Sequence, residues 1–459
     1  MLYSHDDDVI VAQCTPTGPG AIALIRISGI QAVSVADAFC LLASGKKIAD
    51  CASHTVHFAR IINGAGQIID QVMVTLMRAP KTFTGQDTVE ITSHNNQFIL
   101  EEILARAIAA GARMAQSGEF TRRAVLNEKM DLLQAEALND LIHANTQQSA
   151  RQALSQLEGS FSSWIASIER ELLRAHALCQ ASFEFIDEEM TFDQPIKESL
   201  TTIVHILATI KRTFTPQQHI RQGIRIALIG SVNAGKSSLF NMLIGAQRAI
   251  VSPQAGTTRD TIEAGLYRNG AYWTLIDTAG LRHTNDAIEQ EGIKRSHMQA
   301  ESADIVLLVV DGSRLLNPVE LAEYQLLYER YNTKSLLVFT KSDLPQISYD
   351  LTFPHQSSLR VSSVTLESLG QLEKIVNERI EQIIAQAASP YLVNQRQYHL
   401  LLGLEQQLHA IQEQLGDTIA YELLSYHLND AFALLGEISG KSASEKAMDA
   451  IFREFCVGK

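Results

Sequence analysis

Positive charge is scarce in this chain. It carries 38 lysines and arginines against 51 aspartates and glutamates, a net charge of −13. That excludes a generic nucleic-acid coat, which needs lysine and arginine in excess to neutralise phosphates. It does not exclude a local basic patch. Cysteine is scarce too. Cys14, Cys40, Cys51, Cys179 and Cys456 are scattered, and no CxxC or Cys/His pair has metal-ligand spacing. This argues against a disulfide scaffold and a zinc module, and fits reduced thiols in the cytoplasm. Long apolar runs are missing. IVLLVV (305–310) is far too short to span a bilayer, so no membrane segment is expected. The start, MLYSHDDDVI, is acidic and lacks the basic and apolar regions of a signal peptide. No internal repeat or low-complexity tract is found. What is present is core material: 46% hydrophobic and 19% charged residues over 459 positions, enough for about two to four folded domains.

Periodicity divides the chain. Residues 1–125 hold the β-rich runs VIVAQ, AIALIRI, HTVHFARI, VMVTLM and TVEIT and the helical stretch FILEEILARAIAAGA, which predicts a small α+β domain. Residues 126–222 are helical. Leu154, Leu157, Phe161, Trp164, Ile168 and Leu172 step by three or four and predict one apolar stripe of a bundle. FEFIDEEMTFD (183–193) predicts a solvated helix end and loop, and KRTFTPQQHIRQ (211–222) a linker. Over 223–383 the runs IRIALI, YWTLI, IVLLVV, SLLVF and LRV alternate with helical segments, which argues a doubly wound sheet. Over 384–459 helical periodicity returns through Leu400, Leu404, Leu408, Ile411 and Leu415. The expected architecture is multidomain α/β: an N-terminal α+β domain, and an all-α domain interrupted by an inserted α/β unit.

The motif GSVNAGKSS (230–238) directly follows the strand IRIALI. Its glycines let backbone N–H groups wrap phosphates, Lys236 reaches the β/γ oxygens, and the Ser237 hydroxyl can hold Mg²⁺. The helix that follows points its N-terminus at the phosphates. Ordered motifs surround it. GTTRD (256–260) occupies a switch I position with Thr258 placed for Mg²⁺, and DTAG (277–280) follows YWTLI. TKSD (340–343) follows SLLVF, where Asp343 can accept from guanine N1–H and N2–H₂, groups adenine lacks; VSSV (361–364) can close over the base. The nucleotide is therefore expected at Asn233, Ala234, Gly235, Lys236, Ser237, Ser238, Gly256, Thr257, Thr258, Asp277, Thr278, Ala279, Gly280, Thr340, Lys341, Ser342, Asp343, Ser362, Ser363 and Val364. Leu281 stands where a Ras-type enzyme carries its water-orienting glutamine. Asn233 lies near where a monovalent cation could do the electrostatic work of an arginine finger.

Several stretches outside these motifs carry a family resemblance. AQCTPTGPGAIALIRISG, KTFTGQDTVEITSHNN (81–96), SGEFTRRAVLNEKMDLLQAEALNDLI (117–142), the GTPase motifs and the closing FCVGK occur in order, and the chain resembles the tRNA modification GTPase family MnmE (TrmE) over its full length. The resemblance implies an N-terminal folate-binding domain that also dimerises, a discontinuous all-α helical domain and an inserted Ras-like P-loop GTPase domain. It implies a homodimer that works with the FAD-dependent partner MnmG (GidA) in a heterotetramer-type complex. The pair would add an aminomethyl-type group to C5 of the wobble uridine (position 34) of certain tRNAs, with carbon from a 5-formyl- or methylene-tetrahydrofolate. The resemblance adds the loop Ser252, Pro253, Gln254 and Ala255 to the nucleotide contacts, and GTP hydrolysis would need K⁺, held by Asn233, Ser252, Gln254 and Thr257, with Glu289 orienting water. Folate contacts fall on Arg26, Glu90, Lys129 and Lys459. Cys456, the fourth residue from the end, is not a prenylation box, since Gly458 is not aliphatic and Lys459 suits no such box. The family pattern places it at the modification centre, where a catalytic thiol and a merely buried one are both open.

The chain departs from the family at Thr340, where an asparagine is usual. A shorter side chain is expected to reach the P-loop less well and to weaken nucleotide affinity, while Asp343 keeps guanine preference. Gln86, Asn95, Asn96 and Ser252 are further departures. The rival reading is a ribosome-assembly or other RNA-associated regulatory GTPase, which should carry an RNA module with basic flanks; none is found.

Overall fold

The structure, a computed structural model, describes residues 8–184, 192–245, 262–268, 271–277, 297–345, 347, 359–365, 368–386, 390–414 and 421–458. The chain divides into two compact units. One comprises 1–139, 155–203 and 399–459, the other 140–154 and 204–398.

The first unit opens with β1 (Ile10–Gln13), β2 (Ile22–Ser28), α1 (Ala32–Asp37), β3 (Cys40–Leu42), β4 (Thr55–Ile62), β5 (Ile68–Met77), β6 (Thr88–His94), α2 (Gln97–Ala109), β7 (Arg113–Met114) and α3 (Glu119–Leu126). The sheet order is β3-β4-β5-β6-β2-β1-β7, antiparallel except for the parallel β1–β7 pair. Period-two alternation decides its faces. Ile25, Ile27, Val72, Val74, Leu76, Val89 and Ile91 pack in one core with residues of α1 and α2. Arg26 and Glu90, in register across β2 and β6, take the other face. Exposed Leu41, Val56, Phe58 and Met73 also stand out of phase with the core positions of β3–β5.

Helices α4 (Leu132–Ile142), α5 (Gln147–Leu157), α6 (Ser160–Glu184) and α7 (Asp193–Gln222) follow. The predicted stripe is not one helix face. Gly159 takes φ +96° between α5 and α6, which resets the helical phase. Leu154 is exposed, and the buried stripe of α6 runs Phe161, Ile165, Ile168, Leu172, Ala175, Cys179. The stretch expected as a linker is also helical: α7 continues to Gln222 and ends against Gly223, at φ +85°. α11 (Gln395–Gln414), α12 (Tyr421–Ser439) and α13 (Glu445–Phe452) close the chain, after the α/β elements given below. α12 lies along α6 with His176 edge-on to Phe432 and Gln180 donating to Ser425, so the two helical stretches form one discontinuous domain.

In the second unit β8 (Ile224–Ile229), α8 (Lys236–Gly245), β9 (Ile262–Arg268), β10 (Ala271–Asp277), β11 (Ile305–Asp311), α9 (Pro318–Tyr331), β12 (Ser335–Thr340), β13 (Leu359–Arg360) and α10 (Leu369–Gln386) build a sheet of order β13-β12-β11-β8-β10-β9. All pairs are parallel except β9–β10. In β11, Ile305, Leu307 and Val309 enter one core, and Val306, Leu308 and Val310 the other. A strand covered on both faces needs a continuous apolar run, which is why IVLLVV does not alternate. No helix among the described residues is long and apolar enough to cross a membrane.

Candidate functional site

Among the described residues, the P-loop, Asp277 and the 340–343 and 361–364 segments stand at the C-terminal ends of the parallel strands, where open α/β sheets bind ligands. β8 runs into Gly230. A Cβ there would lie 2.1 Å from the Val309 carbonyl oxygen, so only glycine lets the loop leave against β11. Asn233 and Gly235 adopt φ of +62° and +92°, which turns the backbone before α8 begins at Lys236. Lys236 Nζ donates to the carbonyls of Gly230 (2.6 Å) and Ser231 (2.8 Å). Burial lowers its pKa, opposed by the field of Asp277, itself buried at the end of β10. Asp277 is in register with Leu228, the penultimate residue of β8. The exposed Ser237 begins the helix beside Lys236. A serine hydroxyl and a carboxylate are the hard oxygen donors that Mg²⁺ takes.

Thr340 reaches the P-loop after all. Its Oγ1 lies 2.6 Å from the Ala234 carbonyl and 3.1 Å from that of Val310, and donates between them. The shorter side chain suffices because β12 ends beneath the loop: a Cβ on Gly235 would sit 3.2 Å from that hydroxyl. Lys341 takes φ +56° and pairs with Asp311 at 2.5 Å. Ser362, fully buried, donates to Asp343 Oδ1 at 2.6 Å and accepts from Val364 N–H. The 340–343 and 361–364 motifs are thus joined, and the Asp343 carboxylate expected to read guanine is held in place. Three residues outside the motifs brace the loop: Tyr324, Arg314 and Glu320. Ser252, Pro253, Gln254, Ala255, Gly256, Thr257, Thr258, Thr278, Ala279, Gly280, Leu281 and Glu289 lie outside the described residues.

A second cluster forms on the N-terminal sheet. Arg26 Nε and Nη2 lie 2.8 and 2.7 Å from Glu90 Oε1, and the guanidinium stands over the rings of Phe83 (5.5 Å) and Phe120 (5.6 Å). Two residues expected to contact a ligand therefore pair with each other. Phe120 lies in the first turn of α3, whose preceding Gly118 (φ +67°) meets the closing segment: Gly118 N–H donates to the Cys456 carbonyl, and Ser117 bridges Val457. A Cβ on Gly458 would lie 2.6 Å from the Gln13 carbonyl oxygen and 2.9 Å from Cys14 Cα. The Cys456 side is exposed. Lys129 lies against the 82–86 turn, with its Cε 3.0 Å from where a Gly85 Cβ would be. Lys459 lies outside the described residues. α3 also carries a buried ion network. Arg113 and Arg123 bridge Asp8 and Glu119, and Arg123 Nη1 donates to Gln86. Burial raises the Glu119 carboxyl, but hydrogen bonds from Arg113 and the Gln116 N–H outweigh it and hold the group below the ordinary glutamate value.

The MnmE helical domain model matches residues 132–456, and the model of the GTP-binding protein TrmE N-terminus matches residues 9–129. The chain is 36% identical to the tRNA modification GTPase MnmE of Streptococcus pneumoniae (strain Hungary19A-6) over 465 residues, covering all of both chains. The chain belongs to the MnmE family of tRNA modification GTPases. The MnmE protein of Streptococcus mutans serotype c is similarly 35% identical over 467 residues, again with full coverage of both. Among solved structures, the G domain of the T. maritima FeoB iron transporter is 26% identical over 34% of this chain and 98% of its own, with TM-score 0.25. Aquifex aeolicus Era is 22% identical over 40% and 66%, with TM-score 0.26. The MnmE fold accounts for an N-terminal α+β domain, a discontinuous helical domain and a P-loop GTPase domain in one chain.

Proposed function

We propose that the chain is a K⁺-dependent GTPase that, with the FAD-dependent partner MnmG (GidA), installs an aminomethyl-type group on C5 of the wobble uridine of certain tRNAs, using a one-carbon unit from tetrahydrofolate. Family membership makes it a GTP hydrolase involved in tRNA modification. One observation carries the finer reading: residues 456–458 lie between the end of β1 and the start of α3, whose Phe120 ring covers the Arg26–Glu90 pair. Such an arrangement would gather a thiol, a cation and a carboxylate around one face of the N-terminal domain.

In the nucleotide site Lys236 engages the β/γ oxygens, and Ser237, supported by Asp277 and joined by Thr258, would hold Mg²⁺. Mg²⁺ would neutralise charge on the β/γ oxygens. Asn233 would share K⁺ with Ser252, Gln254 and Thr257, and Glu289 would orient water. Asp343 reads guanine. In the N-terminal domain a pterin's amidine-like edge suits Glu90, and folate's anionic tail suits Arg26, Lys129 and Lys459; Cys456 would be the reacting thiol. The domains are placed at 1–125, 126–222, 223–383 and 384–459. A homodimer is favoured by the exposed Leu41, Val56, Phe58 and Met73 of the N-terminal sheet, apolar positions of the kind that partner contacts cover. A cytoplasmic, heterotetramer-type complex with MnmG on tRNA completes the reading.

The test is nucleoside analysis of tRNA from a deletion strain complemented with wild type or Cys456→Ser. Loss of the C5-modified wobble uridine on deletion is expected, with failure of Cys456→Ser to restore it. Normal wobble uridine with a ribosome-subunit imbalance would replace the reading with that of a ribosome-assembly GTPase. Full restoration by Cys456→Ser would remove the thiol's role alone.

A further inference from the structure

We propose that Tyr324 is a positioning residue for GTP hydrolysis, setting the first half of the P-loop through Ser231. Tyr324 lies on α9 and is 3% exposed. Its hydroxyl accepts from the Ser231 N–H at 2.8 Å and donates to the Val309 carbonyl at 2.6 Å. A Cβ on Gly230 would lie 2.9 Å from the same hydroxyl, so loop and ring are in direct contact. Arg314 adds a second brace: its Nη2 is 3.3 Å from Ser231 Oγ, while the Glu320 carboxylate holds the guanidinium at 2.6 and 2.9 Å. Glu320 is fixed in turn by the capping box it makes with Asn317 at the start of α9.

The brace matters because of what the braced peptide carries. The carbonyls of Gly230 and Ser231 are those that hold the Lys236 ammonium. The following residues, exposed Val232 and Asn233 at φ +62°, complete the turn before Ala234. Ala234 is pinned separately, by Thr340. Two anchors therefore divide the loop. Thr340 fixes the half that runs into α8 and wraps the phosphates shared by GDP and GTP. Tyr324 fixes the half that aims Lys236 and Asn233, where charge develops as the γ-phosphoryl group leaves. Loosening that half should slow the chemical step more than it weakens GDP binding, since rate is sensitive to displacements of about 1 Å.

The experiment compares full-length wild type with Tyr324→Phe and Thr340→Val in potassium chloride, measuring single-turnover GTP hydrolysis, GDP affinity and thermal melting. Phenylalanine keeps the buried ring and removes only the hydroxyl. Tyr324→Phe should slow hydrolysis about tenfold and change the GDP Kd by less than about twofold. Thr340→Val should raise the GDP Kd itself, giving the opposite split. An unchanged hydrolysis rate in Tyr324→Phe overturns the proposal. So does a loss of GDP affinity in step with the rate, which would mark the hydroxyl as holding the fold rather than the loop.

Discussion

At the scale of single residues, the P-loop, Asp277 and the TKSD and VSSV segments stand at strand ends, as their local strings led one to expect. A strand must precede each, so that placement follows from the α/β pattern. Thr340 shows where residue reasoning fell short. Its reach depends on how closely β12 ends beneath Gly235, a tertiary distance no string encodes. Thr340→Val removes a buried donor that the Ala234 and Val310 carbonyls share, at a cost of about 1–3 kcal/mol. Both GTP and GDP affinity should fall, by about tenfold or more, in equilibrium titration. Asp343→Asn should reverse the base preference. Its amide donates where the carboxylate accepted, so xanthosine triphosphate should replace GTP in a competition assay, with discrimination of about 10²-fold or more. Tyr324 was not legible for the opposite reason. It belongs to an ordinary amphipathic helix, and nothing in its spacing distinguishes it from a core tyrosine.

At the scale of elements, α3 is the piece that joins the clusters of the N-terminal unit. Its first turn holds Phe120 against Arg26, its preceding glycine meets Cys456, and its Glu119 and Arg123, each 1% exposed, pair one turn apart. Arg123→Leu removes one of the two guanidiniums that Glu119 and Asp8 share, leaving Arg113 to both, and should destabilise the unit by about 1–3 kcal/mol in urea unfolding. The pH dependence has a definite sign. Glu119 in the folded state lies below its ordinary value of 4.5, so its stabilisation is complete above that value and is lost as pH falls through the lowered folded one. Glu119→Gln should be less stable at neutral pH and should lose part of the acid-side slope of the urea midpoint. Strand and helix identities here were readable from alternation and periodicity. The α5–α6 break was not, because Leu154 and Phe161 keep helical spacing across Gly159, and only the positive φ of that glycine reveals that the phase restarts. The helical 211–222 stretch was missed because its polar, proline-containing composition resembles a connector.

At the scale of the whole molecule, one chain combines a GTPase unit with an N-terminal domain whose own cluster is finished by residues from the last helix onward. The full-length match to MnmE proteins supports reading both as parts of one activity. The division into an inserted α/β unit and a discontinuous helical domain was legible because helical periodicity stops at the P-loop strand and resumes after the sheet's last helix. The residues assigned to K⁺ rest on family pattern and on Asn233, whose φ of +62° turns the loop where a second cation would sit. The most direct test is GTP turnover by the full-length protein in potassium chloride and in sodium chloride of equal ionic strength, with Lys236→Ala as the control. A large stimulation by K⁺ over Na⁺, abolished in Lys236→Ala, is the predicted result. Equal slow rates in the two salts would contradict the cation mechanism and withdraw the roles given to Asn233, Ser252, Gln254, Thr257 and Glu289.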